Sequence, residues 1–219
     1  MSAAGGGGRG RPAARGRFVV LEGLDGAGTT TQARLLGERL RADGRTAHVT
    51  AEPSGGPVGA LVRQVLTRRV TGAAGADFDP HALALLFAAD RRDHRAVEID
   101  PKLAAGIDVV SDRYTLSSLA YQGAALGEME WVRQVNGAAG PPDATLFLRV
   151  RPEVALRRRR AASLDREIYE VGAFQRKVAA EYDRAIALLR QAGESVIEID
   201  GERPVEAVAA AVWAAVSTL

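Results

Sequence analysis

A glycine-rich segment directly follows the first apolar run of the chain. Residues 23–30 read Gly-Leu-Asp-Gly-Ala-Gly-Thr-Thr, and they lie between the apolar residues 18–22 and a helix-forming stretch at residues 32–41. Glycines at a strand-to-helix turn let backbone amides point at phosphate oxygens, and the helix that follows presents its positive end to the same anion. The segment is typical of a triphosphate-binding loop. A glycine-rich turn that binds nothing is the alternative.

The lysine that usually ends such a loop is missing. The usual pattern closes with Gly-Lys-Ser/Thr, in which the lysine reaches the outer phosphates and the hydroxyl group binds magnesium. Here Thr29 takes the position of the lysine and Thr30 supplies the hydroxyl group. Threonine carries no charge, and removal of a catalytic donor costs roughly 3 to 4 kcal/mol of transition-state stabilisation. We therefore expect another cation of the chain to replace the lysine.

Composition limits the chain to one folded domain and a narrow set of ligands. The 219 residues suffice for one sizeable core, which we predict to span residues 17–219. Residues 1–16 are almost wholly Gly, Ala, Arg and Pro, a composition that favours a disordered tail. The chain contains no cysteine, so hard oxygens and three histidines are the candidate metal ligands. A magnesium-bound nucleotide fits that inventory.

Charge and hydropathy bear on partners and location. The net charge of +2 falls to −1 when the three arginines of the tail are set aside, so the basic character belongs largely to the tail. A slightly acidic domain argues against nucleic-acid binding. No apolar run reaches the roughly 18 residues of a membrane span, and the N-terminus lacks the apolar core of a signal peptide. We expect a cytoplasmic protein that binds neither nucleic acid nor membrane.

Strand and helix patterns alternate along the domain. Alternation of this kind indicates an α/β fold with a parallel sheet covered by helices on both faces, and with its ligand at the carboxyl ends of the strands. The predicted strands are residues 18–22, 46–51, 106–111, 143–150 and 195–200, and the predicted helices are residues 32–41, 58–68, 81–98, 115–125, 153–161, 172–191 and 204–216.

A charged stretch late in the chain has two interpretations. Four consecutive arginines, residues 157–160, precede an Asp-Arg-Glu segment centred on Arg166. A run of charges is usually a solvated helix face, but this one lies where a lid could close over bound phosphates. We predict a lid at about residues 157–170, with Arg160 and Arg166 as catalytic cations.

The segment that follows the third predicted strand connects these features to a known family. Ser-Asp-Arg-Tyr at residues 111–114 and Ser-Ser-Leu-Ala-Tyr-Gln-Gly at residues 117–123 closely resemble the signature of thymidylate kinases. The loop at 22–32, the Glu-Pro segment at 52–59 and Leu-Phe-Ala-Ala-Asp-Arg at 86–91 are similar to further motifs of that family, in the same order. The resemblance covers residues 17–219. It implies a three-layer P-loop NTPase fold, with a parallel sheet flanked by helices and a mobile lid.

The resemblance also implies a reaction and the residues of its donor side. ATP would phosphorylate dTMP to dTDP, for dTTP biosynthesis, with magnesium as cofactor. Asp25 and Arg113 would take part in catalysis, and Thr30 and Asp112 would hold the metal. The residues expected to contact ATP are Gly23, Leu24, Asp25, Gly26, Ala27, Gly28, Thr29, Thr30 and Thr31.

On the acceptor side, the resemblance assigns residues to the base, the sugar and the monophosphate. Phe87 would stack on thymine, although a core phenylalanine on an apolar helix face is the alternative. Tyr121 would pack near the 2′ carbon and disfavour ribonucleotides. Arginine suits phosphate because its planar fork stays charged. The expected substrate contacts are Glu52, Arg63, Phe87, Arg91, Arg113, Ser118, Tyr121 and Gln122. Members of the family are commonly homodimers, and we expect the same here.

Three departures from the family pattern leave alternatives open. Thr29 replaces the loop lysine, Ala51 replaces an arginine common before the Glu-Pro pair, and the acids of the lid are rearranged. A kinase for another nucleoside monophosphate and a nucleotide-binding pseudokinase therefore remain as alternatives. Retention of Asp25 and Asp112 argues against loss of catalysis.

Overall fold

Five parallel strands form the centre of the molecule. The structure is a computed structural model that describes residues 15–162 and 168–219, without the side chains of 160–162 and 168–171. The strands occur in the order β2-β3-β1-β4-β5, and all neighbours are parallel. The predicted α/β class and all five predicted strands are confirmed. Their bounds are β1 Phe18–Gly23, β2 Ala47–Ala51, β3 Asp108–Asp112, β4 Ala144–Arg149 and β5 Val196–Asp200.

Helices connect successive strands and cover both faces of the sheet. A π-helical turn at Arg95–Ile99 joins α3 to α4, and short 3-10 turns occur at Ala73–Gly75 and Gly137–Ala139. Within the described ranges, no helix is both long and apolar enough to cross a membrane. The helices are α1 Thr29–Ala42, α2 Pro57–Leu66, α3 Pro80–His94, α4 Asp100–Ala104, α5 Thr115–Leu126, α6 Met129–Asn136, α7 Pro152–Ala162, α8 Ile168–Gln191 and α9 Val205–Ser217.

The central strand β1 supplies both layers of the core. All six of its residues are buried. Because side chains alternate along a strand, Val19 and Leu21 enter the larger apolar cluster, whereas Phe18 and Val20 enter the smaller one beside α4. A strand covered on both faces reads as a continuous apolar run, which is why it is visible in the sequence.

Several boundaries differ from the sequence prediction. Helix α6 was not predicted, although its buried residues Met129 and Val132 have helical spacing. Arg15 and Gly16, assigned to the tail by composition, contact the domain: Arg15 pairs with Asp143 at 3.0 Å, and the Gly16 amide donates to the Leu103 carbonyl at 2.8 Å. The rest of the predicted tail, residues 1–14, lies outside the described residues. Within the predicted lid, residues 157–162 belong to α7, residues 168–170 to α8, and residues 163–167 are not described.

The sheet gathers the predicted site at one edge. Strands β1, β2 and β3 end at Gly23, Ala51 and Asp112, and the Glu52 amide donates to the Asp112 carbonyl at 3.0 Å. The carboxyl ends of parallel strands are where ligands bind in open α/β sheets.

Candidate active site

The glycine-rich loop turns sharply between β1 and α1. Gly26 and Gly28 adopt φ values of 94° and 97°, in the left-handed region that favours glycine. A Cβ at Gly26 would lie 2.3 Å from the Ala155 carbonyl oxygen, so this glycine also lets α7 pack directly on the loop. Because Gly28 has no side chain to cap α1, the first amides of this 14-residue helix are available to an anion.

The two threonines at the start of α1 have different environments. Thr29 is 5% exposed, and its methyl group packs towards Gly23 at the end of β1. Thr30 is exposed, and its hydroxyl group donates to Asp112 Oδ2. The other carboxylate oxygen, Asp112 Oδ1, is buried and has no hydrogen-bond partner among the described residues. Thr29 therefore adds no charge to the loop, and Thr30 and Asp112 together present hard oxygens.

These oxygens fit magnesium. Mg²⁺ is usually bound through one or two carboxylates, with waters and substrate phosphates as its other ligands. The unpartnered Asp112 Oδ1 beside the Thr30 hydroxyl group offers such a start. No group of three or more His, Cys, Asp or Glu side chains suited to a metal occurs in the described part of the chain. A metal here would take its remaining ligands from phosphates and water.

A cavity of about 520 Å³ opens beside the loop. Seven of the eight predicted substrate residues line it, together with Asp25, and Arg63 is the exception. The Arg63 side chain is exposed, and its Nη1 donates to the carbonyls of Pro53 and Ser54 at 2.8 and 2.6 Å. The lining consists of Asp25, Glu52, Pro53, Leu66, Phe87, Arg91, Arg113, Tyr114, Ser117, Ser118, Tyr121, Gln122, Arg159, Phe174 and Gln175.

Arg91 and Glu52 form a buried ion pair in the wall of the cavity. Arg91 Nε donates to Glu52 Oε2 at 2.8 Å, and the two side chains are 2% and 3% exposed. Arg91 also donates to Ser118 Oγ at 3.0 Å, to the Tyr114 carbonyl at 3.1 Å and to Asn136 Oδ1. With nearly all its donors engaged, Arg91 is held rigidly in place.

His94 supports Glu52 from the opposite side. Its Nδ1 lies 3.3 Å from Glu52 Oε1, and its Nε2 lies 2.9 Å from Thr50 Oγ1. Burial lowers the His94 pKa, but the hydrogen bond to Glu52 and the charges of Glu52, Glu98 and Asp90 outweigh it, and the pKa is raised. Both carboxylate oxygens of Glu52 are therefore fixed by protein donors.

Arg113 connects the loop to the cavity. Its backbone has a φ of 76°, and its Nη2 donates to Asp25 Oδ1 at 2.7 Å. Burial lowers the Arg113 pKa, but the nearby Tyr182, Tyr121, Asp25 and Glu22 raise it well above its usual range. The guanidinium group is therefore a permanent cation beside the predicted donor site.

One arginine of the charged run reaches the loop. Arg159 Nη1 lies 3.8 Å from Asp25 Oδ2, and Arg159 lines the cavity. Arg158 instead donates to the Gly201 carbonyl at 2.8 Å, and Arg157 is exposed. Two predicted catalytic arginines are not tested, because the Arg160 side chain and all of Arg166 lie outside the described residues. Among residues 157–159, the structure singles out Arg159, which the sequence could not separate from its neighbours.

Aromatic rings line the cavity, and one of them contacts the loop. Phe87 is half-buried and lines the cavity, so the interpretation of Phe87 as a core residue is wrong. The Tyr121 hydroxyl group accepts from the Asp25 amide at 3.1 Å, and the Arg113 guanidinium group lies 5.2 Å from the centre of its ring. Phe174, which is 41% exposed, has its ring centre 6.4 Å from that of Tyr121.

Three lining or supporting residues on α8 were missed by sequence reasoning. Phe174 and Gln175 line the cavity, and buried Tyr182 donates to the Gly23 carbonyl at 3.0 Å. Gln175, Val178 and Tyr182 are all buried and follow the spacing of one helix face. That spacing is the signal that could have found them.

Two amide oxygens in the cavity wall have no partner. Gln122 Oε1 and Gln175 Oε1 are buried and form no hydrogen bond within the described ranges. An unpaired buried acceptor costs about 1–3 kcal/mol, so each favours a ligand that donates a hydrogen bond. The cavity therefore combines aromatic faces, free acceptors and cations in one lining.

Comparison with known proteins agrees with this arrangement. A family model described as thymidylate kinase matches residues 21–212. The chain belongs to the thymidylate kinase family. A probable thymidylate kinase from Pyrobaculum aerophilum is 42% identical over 196 residues, covering 88% of this chain and 92% of the relative. A thymidylate kinase from Thermomicrobium roseum is 43% identical over 206 residues, covering 91% and 94%. A thymidylate kinase from Synechococcus sp. is 40% identical over 204 residues, covering 91% and 93%.

Family membership confirms the main predictions. The resemblance to thymidylate kinases, the flanked parallel sheet and the identity of the enzyme as an ATP:dTMP phosphotransferase are all confirmed. A kinase for another monophosphate and a pseudokinase are not favoured. The roles of individual residues remain predictions.

Proposed function

We propose that dTMP occupies the cavity with its base against Phe87 and its phosphate beside Arg113, facing ATP on the glycine-rich loop. The observation that carries this orientation is the pair of cations, Arg113 and Arg159, on Asp25 of the loop. Phe87 and the free oxygens of Gln122 and Gln175 line the same cavity. A thymine ring offers a flat face and an N–H donor, and a phosphate group requires cations.

The acceptor is oriented by groups that are already fixed. The Ser118 oxygen accepts from Arg91, so its own proton can point to the base edge. Phe87 offers an aromatic face, which stabilises a stacked base by roughly 1–3 kcal/mol. Tyr121, held at the Asp25 amide, would exclude a 2′ hydroxyl group. Glu52 has an accepting lone pair left for the sugar. Arg63, outside the cavity, would reach the phosphate with the donors that the 53–54 backbone does not use.

On the donor side, residues 23–31 would bind the ATP phosphates through backbone amides and the N-terminus of α1. Thr30 and Asp112 would hold magnesium, which neutralises charge on the phosphates when bound. Phosphoryl transfer requires mainly positioning and charge stabilisation from the protein. Arg113 would hold the acceptor oxygen in line, and Asp25 would fix Arg113 and Arg159.

Arg159 would supply the charge that Thr29 lacks. It is the arginine of the 157–159 run that approaches the loop, and the close contact of Gly26 with Ala155 holds its helix there. A cation on α7 beside the loop can stabilise the charge of the transferring group. Arg160 and Arg166 stay predicted as further lid cations.

A coupled assay of ADP release tests the proposal. The wild-type enzyme should prefer dTMP in a panel of nucleoside monophosphates. Arg159→Ala should lower kcat about 100-fold or more while the KM for dTMP changes little, because charge that acts in the transition state is removed. Arg157→Ala, exposed on the same helix, is the matched control and should retain activity.

The lysine position provides the opposing test. If Arg159 supplies the charge, Thr29→Lys should help little, because two cations would repel each other in one site. A gain of orders of magnitude in kcat with Thr29→Lys would refute compensation by Arg159. Arg160→Ala and Arg166→Ala belong in the same series, and a collapse of kcat in either of them with full activity in Arg159→Ala would transfer the role.

We also propose that the enzyme is a homodimer. Leu85 on α3 and Val97 in the following turn are 49% and 65% exposed, and buried apolar surface drives association. Sedimentation of the full chain should give twice the monomer mass, and a monomer at micromolar concentration would contradict the proposal.

A further inference from the structure

Glu22 is a buried carboxylate that the proposed reaction does not use. It lies near the end of β1, directly before the loop, and is 0% exposed. Its Oε1 accepts from the amides of Tyr114 and Ser117 at 2.8 and 3.0 Å. Its Oε2 accepts from the Ser117 hydroxyl group at 2.5 Å. The carboxylate thus fixes the start of α5 beneath the cavity wall by accepting hydrogen bonds from Tyr114 and Ser117.

The Ser117 hydroxyl group links Glu22 to Arg113. Ser117 Oγ lies 2.8 Å from Arg113 Nη1 and 3.0 Å from the Tyr182 hydroxyl group. Because an ionised carboxylate only accepts and a guanidinium group only donates, the Ser117 proton points to Glu22 and its lone pair to Arg113. The direction of the hydrogen bond between Ser117 and Glu22 therefore depends on the charge of Glu22.

We propose that Glu22 is a positioning residue that holds Arg113 towards the dTMP phosphate through the Ser117 hydroxyl group. The proposal rests on the proposed role of Arg113 as a phosphate ligand. Arg113 is held at four points: Nη2 on Asp25, and Nη1 on Ser117, on the Gly23 carbonyl at 3.1 Å and on the Tyr182 hydroxyl group at 3.3 Å. Of these, the Ser117 contact is the one that a change in the charge of Glu22 can weaken. A protonated Glu22 would donate to Ser117, and the Ser117 oxygen, no longer donating its proton to a carboxylate, would be a weaker acceptor for Arg113.

The surroundings of Glu22 place its change of charge, and with it the reversal of the Glu22–Ser117 hydrogen bond, near neutral pH. Burial raises its pKa to about 7, against the lowering effect of the Arg113 charge and of the hydrogen bonds from Ser117 and Tyr114. From α8, Tyr182 approaches at 3.4 Å, and burial raises the Tyr182 pKa well above its usual range, so it stays protonated. Asp25 and Tyr121 face the far side of Arg113. Arg113 is therefore the ionised neighbour that Glu22 faces.

Two variants test the link. Glu22→Gln imitates the protonated acid, since its amide donates where the carboxylate accepted. Ser117→Ala removes the middle hydroxyl group and keeps both Glu22 oxygens available to the backbone. At pH 8 each should raise the KM for dTMP about tenfold, the loss expected for one hydrogen bond to a charged group, with little change in the KM for ATP. The double variant should lose no more than the larger single loss.

The pH profile separates positioning from simple support of the fold. The ratio of wild-type to Glu22→Gln kcat/KM for dTMP should be about tenfold at pH 8 and approach unity at pH 6, because the wild-type acid is then protonated. Titration of the substrate phosphate cancels in this ratio. Glu194→Gln, at a distant carboxyl group whose pKa burial also raises, should follow the wild-type profile.

Each outcome decides the matter. Melting temperatures that fall with an unchanged KM for dTMP in both variants would overturn the proposal. If Glu22→Gln does not fold, Ser117→Ala alone decides by its KM. Arg113→Lys keeps the charge and loses the planar guanidinium group. If the KM for dTMP rises in Arg113→Lys but not in Ser117→Ala, only the link through Ser117 is refuted. An unchanged KM in Arg113→Lys refutes the proposed role of Arg113 and the link with it.

Discussion

Removal of the Arg91 guanidinium group should strongly destabilise the protein. Arg91→Met keeps the apolar stem and leaves Glu52 as a carboxylate that is 3% exposed, with His94 as its remaining donor. Breaking a buried ion pair from one side costs about 3–5 kcal/mol, because the partner charge stays buried. Asn136, Ser118 and the Tyr114 carbonyl also lose a donor. The support from His94 places the expected loss near the lower end of that range.

The measurement is reversible urea unfolding of Arg91→Met and wild type, followed by a thermal scan. For a domain of this size, 1 kcal/mol shifts Tm by roughly 2–4 °C, so a loss of about 3–5 kcal/mol lowers Tm by roughly 6–20 °C. Arg63→Met is the matched control. It deletes an exposed guanidinium group that contacts two backbone carbonyls, and its loss should stay within about 1 kcal/mol.

Glu52→Gln combined with Arg91→Met tests the cause. If the uncompensated carboxylate is responsible, the double variant should be more stable than Arg91→Met alone, because the charge is gone. A loss below about 1 kcal/mol in Arg91→Met would refute the reasoning, since Glu52 would then be solvated or neutral in the folded protein. A double variant less stable than the single variant would show that packing dominates.

Three further results are expected. Phe87→Ala should raise the KM for dTMP by the equivalent of about 1–3 kcal/mol and leave the KM for ATP unchanged, while Phe87→Tyr, which keeps the ring, should behave as wild type; equal effects on both KM values would exclude stacking. A chain beginning at Arg15 should match the full chain in Tm and activity. A chain beginning at Arg17 should have a lower Tm, because the hydrogen bond from the Gly16 amide to the Leu103 carbonyl is lost. Glu22 has a pKa raised from 4.5 to about 7 by burial, so its stabilising contribution is present below pH 4.5 and is lost as pH rises to about 7. Relative to Glu22→Gln, the free energy of unfolding of wild type should fall by at most about 3 kcal/mol over that pH interval. Parallel curves of unfolding free energy against pH for the two proteins would contradict the raised pKa.

The sequence predicted those features that depend on local spacing. The apolar run of β1, the glycines at 26 and 28 and the acid at the end of β3 each carry their signal within a few residues. A parallel sheet then brings the strand ends together without further information. The substrate residues came instead from the family resemblance, and seven of those eight line one cavity.

The remaining features depend on packing between distant elements. Successive residues of a helix point in directions about 100° apart, so Arg157, Arg158 and Arg159 lie on different faces of α7. Of these three, docking of Ala155 on Gly26 selects Arg159. Phe174 and Tyr182 enter the site because α8 packs along α5. The spacing on α8 marks its buried face but not the element against which that face packs. The resemblance placed Arg63 in the site. In the structure its side chain instead donates hydrogen bonds to the carbonyls of residues 53 and 54.

The central position of β1 has a consequence for biosynthesis. This strand is made first, yet its two partners are β3 and β4, and β4 ends at Arg149. At roughly 5–20 residues per second, a ribosome needs about 6–25 s to add the intervening stretch of about 125 residues. Until β3 is complete at Asp112, Phe18, Val19 and Val20 have neither strand neighbour, and until Arg149 they lack β4. Such unpaired apolar segments are prone to aggregate. The nascent chain should therefore depend on chaperones until β4 emerges, and slow translation before Arg149 should lower the yield of folded enzyme.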